Sequence, residues 1–285
     1  MNDLVREDSA GEVTTLTLDS PRSRNALSGA LLTELHAALA GALDDPGCRV
    51  VVLTGTDPAF CAGADLKESR SGAAAAPALF PEILQLIWDS GKPVVCRVNG
   101  SARAGGIGLI AACDIAVASQ SATFGFSEVR IGAAPAIIAV PCLRRMSPRA
   151  AAEYFLTGAA FDAQRAVEIG LLTSAVPKIQ LDEEVARYVD LLLRGAPGAL
   201  AATKEVLRVA GSLPVGAELA RMAELSEARF ASEECQQGMA AFAEKREPAW
   251  SAGRRGDPAG GRSAGASPPG SPAGGGRRPG QATRG

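Results

Sequence analysis

Apolar and polar positions along this chain follow two periods. Glu12 to Leu18 alternates small polar with apolar and β-branched residues, the two-residue period of a strand. Arg49 to Leu53 and Pro93 to Val98 are instead nearly continuous apolar runs, as expected of parallel strands buried on both faces. Between the first two, Leu31, Leu32, Leu35, Leu39 and Leu43 fall on one face of a helix, with Ser28 placed to cap it and Asp44-Asp45-Pro46-Gly47 ending it. Strand, helix and strand recur through Ile115-Ala116-Val117. The order predicts an α/β fold of stacked β-β-α or βαβ units with a largely parallel sheet.

From Pro148 the pattern becomes helical: Pro148 to Leu156, Ala163 to Ile169, Leu181 to Leu193, Ala199 to Val209, and Val215 to Ala243 with interruptions. Apolar stripes on these helices must cover the core or a neighbouring subunit, so self-association is expected. The expected division is a core over 1–195, a helical region over 196–250 and a disordered tail over 251–285. That tail consists largely of Gly, Pro, Ala, Ser and Arg, which cannot build a core. It sets six arginines against Asp257. No aromatic or helical pattern accompanies those charges, so nucleic-acid binding is not expected.

Two glycine-rich segments each follow an apolar run and precede a helix-like one: Phe60-Cys61-Ala62-Gly63-Ala64-Asp65-Leu66, and Asn99 to Leu109, which contains Gly105, Gly106 and Gly108. Glycine at a strand-to-helix junction permits a tight turn and a close approach to ligand, and the first helical N–H groups have no intrahelical partners. Neither segment ends in Gly-Lys-Ser/Thr or forms Gly-x-Gly-x-x-Gly with an acid at the right distance, so phosphate-loop and dinucleotide patterns are absent. Two such turns facing each other could hold one oxyanion, which points to a site that stabilises a carbonyl.

The 285 residues are 47% hydrophobic, enough for one large domain. The longest apolar stretches fall short of a bilayer span. The first residues carry acids without a continuous apolar stretch, so neither a secretory signal nor a membrane span is expected and the expected setting is cytoplasmic. The six cysteines lie scattered in apolar contexts with no C-x-x-C pair, and His36 is the single imidazole; this predicts reduced, mostly buried thiols and no metal site. His36 falls on the striped helix, remote from the glycine segments.

The ordered motifs Asn25-Ala26-Leu27-Ser28, Val50 to Gly55, Ala59 to Leu66, Lys92 to Gly100, Ala112 to Ala116 and Phe124 to Pro135 resemble the crotonase, or enoyl-CoA hydratase/isomerase, superfamily. The match covers about Glu12 to Trp250. The resemblance implies a crotonase-like spiral of ββα repeats followed by a C-terminal helical oligomerisation region, packed as a homotrimer or hexamer. It implies an acyl-CoA substrate, with coenzyme A part of that substrate and no further cofactor. It assigns the backbone N–H groups of Ala64 and Gly105 to an oxyanion hole for the thioester carbonyl. Ala62, Ala64, Asp65 and Leu66 would follow the adenine and pantetheine. Arg22 would approach the phosphates, and Phe242 with Lys245 would reach a neighbouring subunit's CoA. Arg22 also reads as a solvated loop charge, and Asp65 as a helix cap.

One departure limits the mechanism. The best-known hydratases of the family use two glutamates, and the corresponding positions here are Gly108 and Glu128. Glu128 is the expected acid/base, its pKa raised by the aromatic and aliphatic residues around it. Glycine at 108 also resembles a branch containing methylglutaconyl-type hydratases, in which Arg130 would assist a charged acyl group or serve as a structural ion-pair partner. Ala136 stands where some relatives carry another acid, which disfavours dehalogenase or dienoyl-isomerase chemistry. The expected activity is hydration of a 2-enoyl-CoA. The alternatives are 3-enoyl-CoA to 2-enoyl-CoA isomerisation, and a non-catalytic CoA-binding scaffold.

Overall fold

A computed structural model describes residues 4–65, 68, 76–211 and 213–251. These belong to the compact unit Met1–Ala252; the other unit, Gly253–Gly285, and with it the arginine-bearing tail, lies outside the described residues.

The apolar runs form one six-stranded sheet. Its strands are β1 (Val5–Ala10), β2 (Val13–Leu18), β3 (Val50–Gly55), β5 (Val94–Val98), β7 (Ile115–Ser119) and β10 (Ser174–Val176), in that spatial order. β1 and β2 are an antiparallel hairpin, and every later pairing in this sheet is parallel. Successive residues of β3 face opposite ways: Val51 and Leu53 enter the main core, while Val50 and Val52 join Val95, Val117, Leu181 and Val185 on the other side. Burial of both faces is the physical reason the run is continuously apolar.

β1 was not expected, because Val-Arg-Glu-Asp-Ser-Ala lacks a hydrophobic pattern. As an edge strand it buries Val5 alone. Its backbone pairing with β2 and its exposed charges suffice, the charges also blunting the free edge. The Glu34 carboxylate reinforces it by accepting from the Leu4 and Val5 N–H groups at 2.6 and 3.0 Å.

Three long strands each continue, after a short bend, into a three-residue strand of a second sheet. β3 leads to β4 (Ala59–Cys61), β5 to β6 (Ser101–Arg103) and β7 to β8 (Thr123–Gly125); β9 (Ala160–Asp162) closes that sheet against β8. A helix follows each pair: α2 (Ala76–Asp89), α3 (Gly105–Ala112) and α4 (Ala136–Arg145). These are the expected ββα repeats. α2 begins at Ala76, at the end of an Ala-, Gly- and Ser-rich stretch whose sequence carries no helical signal. Its apolar series Phe80, Ile83, Leu84 and Ile87 is buried with helical spacing, which holds the segment in helix despite Pro81 within it.

α1 (Gly29–Asp44) precedes β3, and Ser28 Oγ accepts from the Leu31 N–H at 3.2 Å as its N-cap. Leu31, Leu32, Leu35 and Leu39 are buried beneath it, each contributing about 2 kcal/mol. α5 (Pro148–Thr157) and α6 (Ala163–Glu168) flank β9, and α7 (Leu181–Leu193) covers the second face of the six-stranded sheet. α8 (Pro197–Val209), α9 (Val215–Ala231) and α10 (Glu233–Ala243) complete the helical region. Ser232 ends α9 and caps α10, accepting from the Cys235 N–H. Ser251 is buried in the short 3-10 turn Ala249–Ser251.

Among the described residues, no helix is long and apolar enough to cross a membrane. Cys48, Cys61, Cys96, Cys113 and Cys142 are free and buried, while Cys235 is partly exposed.

Candidate active site

β4, β6 and β8 are consecutive and parallel, so their carboxyl ends lie along one edge of the second sheet. Ligands of open α/β sheets bind at such edges. Each strand delivers one part of the site: β4 runs into Ala62-Gly63-Ala64, β6 into Ala104-Gly105, and β8 into Glu128.

Ala64 is set by an isolated parallel bridge to Leu27. Leu27 donates to the Gly63 carbonyl at 2.8 Å and accepts from the Asp65 N–H at 3.4 Å. In this pattern the residue between the two bonded groups turns its own N–H away from the partner strand. The Ala64 N–H is therefore aimed outward, and Ala64 is exposed. Gly105 opens α3, where the N–H has no intrahelical acceptor. Among the described residues, neither N–H makes a hydrogen bond.

The two turns touch. Gly63 has φ +86°, which favours glycine, and a Cβ there would stand 2.9 Å from both Ala104 Cβ and the Arg103 carbonyl oxygen. Beneath them, a Cβ on Gly106 would meet Cys61 Cβ at 2.8 Å. Bare backbone at these points lets the segments abut, and the non-glycine Ala104 is held at φ +46° as the α3 N-cap.

Buried Asn25 fastens the first turn. Its amide donates to the Thr56, Ala59 and Phe60 carbonyls, its Oδ1 accepts from the Ser20 N–H, and the neighbouring Arg24 carbonyl accepts from the Ala62 N–H at 3.0 Å. The motif containing Asn25 was legible in the sequence, but its fastening of β4 was not.

Glu128 starts the 3-10 turn Glu128–Ile131. Beside it, Phe126 is fully buried and packs on Phe155 at 4.2 Å between ring centroids. Glu128 Oε2 is buried with no hydrogen-bond partner among the described residues. Burial pushes the carboxyl above its ordinary value, opposed by a hydrogen bond from its own backbone. The Cys142 thiol of α4 is pushed up by its own burial and further by the Glu128 charge nearby.

One turn earlier on α4, Ile138 fills the place beside Gly108: a Cβ on Gly108 would stand 2.6 Å from Ile138 Cγ2 and 3.5 Å from Phe80 Cζ. Ile138 and Cys142 share one helical face, so a single stretch of α4 borders both Gly108 and Glu128. The arrangement offers two unpaired backbone donors on adjoining turns and one desolvated carboxyl group. It can stabilise an oxyanion and move a proton.

The other sequence-expected residues divide. Asp65 adjoins the Leu27 bridge, and Arg22 is exposed in the turn Pro21–Ser23, which Asn25 ties to β4. Leu66 lies outside the described residues. Phe242 is 87% exposed at the end of α10, and among the described residues the Lys245 Nζ has no hydrogen bond or ion pair. Arg130 reaches the Thr157 carbonyl at 3.5 Å and forms no ion pair among the described residues. His36 stands 3.6 Å from Glu82 between α1 and α2. No group of three or more His, Cys, Asp or Glu among the described residues could hold a metal ion.

A sequence model of the family described as enoyl-CoA hydratase/isomerase matches residues 8–253. The 2,3-dehydroadipyl-CoA hydratase of Escherichia coli is 34% identical over 239 residues, covering 83% of this chain and 94% of that protein. A crystal structure of an enoyl-CoA hydratase from Shewanella pealeana superposes with a TM-score of 0.82 at 30% identity, over 87% of this chain and 96% of that one. The Mycobacterium smegmatis enoyl-CoA hydratase structure gives a TM-score of 0.81 at 32% identity, over 87% and 98% of the two chains.

Proposed function

This chain belongs to the enoyl-CoA hydratase/isomerase family, the crotonase superfamily, and from that premise we propose that it adds water to a 2-enoyl-CoA thioester. The observation that carries the reading is Glu128 Oε2, buried and unpartnered among the described residues, just beyond β8 of the sheet whose neighbouring strands lead into the two glycine turns. A carboxyl group withdrawn from water by burial retains its proton more readily and is suited to protonating carbon.

Ala64 and Gly105 donate to the thioester oxygen, on which enolate charge develops as the oxygen of water bonds to the β-carbon. Fixed donors stabilise that charge more than the ground state, and one such donor is worth about 3–4 kcal/mol in the transition state. Glu128 delivers a proton to the α-carbon, and the proton released by the added water restores the carboxyl group. Arg22, Ala62, Asp65 and Leu66 follow the CoA moiety. The exposed apolar residues Leu219, Phe230 and Phe242 support self-association through the helical region, which brings Phe242 and Lys245 to a neighbouring subunit's CoA.

A second reading is isomerisation of a 3-enoyl-CoA, favoured by one observation: Ile138 fills the position where a second acid would hold water. One carboxyl group suffices to remove a proton from one carbon and return it to another. Incubation with crotonyl-CoA and, separately, 3-hexenoyl-CoA separates the two. Hydration removes the conjugated thioester absorbance of the first, whereas isomerisation creates it from the second. No Glu128-dependent change with either substrate would sink both readings.

A further inference from the structure

A cleft of about 400 Å³ lies between α2 and α4, outside the site described above. Pro81, Leu84 and Trp88 line one wall; Ile137, Val140 and Arg144 line the other. Pro81 and Ile137 adjoin in sequence Phe80 and Ile138, the two side chains that approach Gly108. At the opposite end the Arg144 guanidinium stands 5.8 Å from the Trp88 ring centroid. Both walls advance seven residues from the first end to the second, about 10 Å along a helix. The cleft is therefore a largely apolar trough whose first end is formed by the sequence neighbours of Phe80 and Ile138, the residues packed beside Gly108, and whose second end carries a cation.

The cation has unused capacity. Arg144 donates to the Val140 carbonyl at 2.6 Å and has no ion pair among the described residues. Arg145, by contrast, spends donors on the Ala111 and Cys113 carbonyls at 3.1 Å, while its guanidinium lies 4.9 Å from the same Trp88 ring. Two guanidinium groups thus share one indole at this end, and the exposed Arg144 can still donate to an incoming anion.

Resting on the acyl-CoA reading above, we propose that this cleft holds the far end of a medium-length acyl chain that terminates in a carboxylate, with Arg144 as the specificity-determining residue. Apolar walls suit the methylene chain, and a guanidinium suits the terminal carboxylate.

Binding of saturated, unreactive thioesters tests this without catalysis. In a Trp250→Phe background, Trp88 is the remaining indole and its fluorescence reports the cleft. Decanedioyl-CoA with one free carboxylate is expected to bind about fivefold more tightly than decanoyl-CoA, the ratio for an ion pair of about 1 kcal/mol at an exposed site. Arg144→Ala should abolish that ratio while leaving butyryl-CoA affinity unchanged. Equal affinity of the two long thioesters for the wild type, or a ratio unaltered by Arg144→Ala, overturns the proposal. So does Val140→Asp if it dissociates an oligomer and leaves the ratio intact, because the cleft is then an interface between copies. Failure of the protein to hydrate or isomerise any enoyl-CoA, with the binding ratio preserved, overturns the reaction reading alone.

Discussion

Ile138 occupies the space into which a side chain at Gly108 would project, with Cγ2 2.6 Å from where that Cβ would stand. The missing second acid is thus a packed feature of this site: the volume belongs to an aliphatic side chain of α4.

Gly108→Ala is accordingly expected to destabilise the protein by about 1–3 kcal/mol through overpacking. Combining it with Ile138→Ala should recover part of that loss, because the two residues compete for one space. Urea melts of both single variants and the double variant measure the coupling. Strictly additive losses would show that the two positions do not interact.

The raised carboxyl of Glu128 gives a pH dependence of defined sign. In the folded protein it binds its proton more tightly than in the unfolded chain, where the ordinary value is 4.5. Its burial therefore costs no stability below that value and costs progressively more as pH rises through the raised one. Glu128→Gln should be more stable than the wild type at neutral pH, with the difference closing toward pH 4. Thermal melts across this range check it, and a constant difference would remove the assigned cause. If the protonated form acts on the α-carbon, kcat/KM for hydration falls on an alkaline limb whose midpoint lies above the ordinary glutamate range.

Gly63→Ala tests the contact between the two turns. The new Cβ would collide with Ala104 and the Arg103 carbonyl at 2.9 Å, in a backbone conformation that already disfavours alanine. Displacing Ala64 from Gly105 should lower kcat by about 10²–10³, the loss expected for one oxyanion donor. A variant that folds normally and retains full activity would show that the turns need not abut.

The helical region is anchored by a charge that periodicity does not reveal. Lys204 of α8 is 6% exposed, and its Nζ donates to Asp114 at 2.6 Å and to the Lys92 carbonyl at 2.9 Å. Asp114 also accepts from the Val94 N–H at the start of β5. Lys204→Ala is expected to cost about 3–5 kcal/mol, because a partly buried carboxylate loses its partner. A calorimetric melt within about 0.5 kcal/mol of wild type would contradict that.

What the sequence revealed followed from burial. β2, β3, β5 and β7 announce themselves because their side chains are buried, and α1 because its leucines share one face. β4, β6 and β8 are only three residues each, too short to show a period, and β1 is too polar. At the site, the glycine turns and Glu128 were legible because backbone donors and a lone acid leave motifs. Asn25 as the fastener of β4, Ile138 as the occupant beside Gly108, and Lys204 as the anchor of α8 were not. Each acts across 30 or more residues of sequence, on a partner that only the folded chain brings near.

In the proposed reaction Glu128 moves the proton while Ala64 and Gly105 hold the thioester oxygen. Turnover of crotonyl-CoA by wild type and Glu128→Gln, with butyryl-CoA affinity measured in parallel, tests it most directly. The expected result is a loss of about 10²–10⁴ in kcat with affinity unchanged. Turnover by Glu128→Gln at the wild-type rate would contradict it.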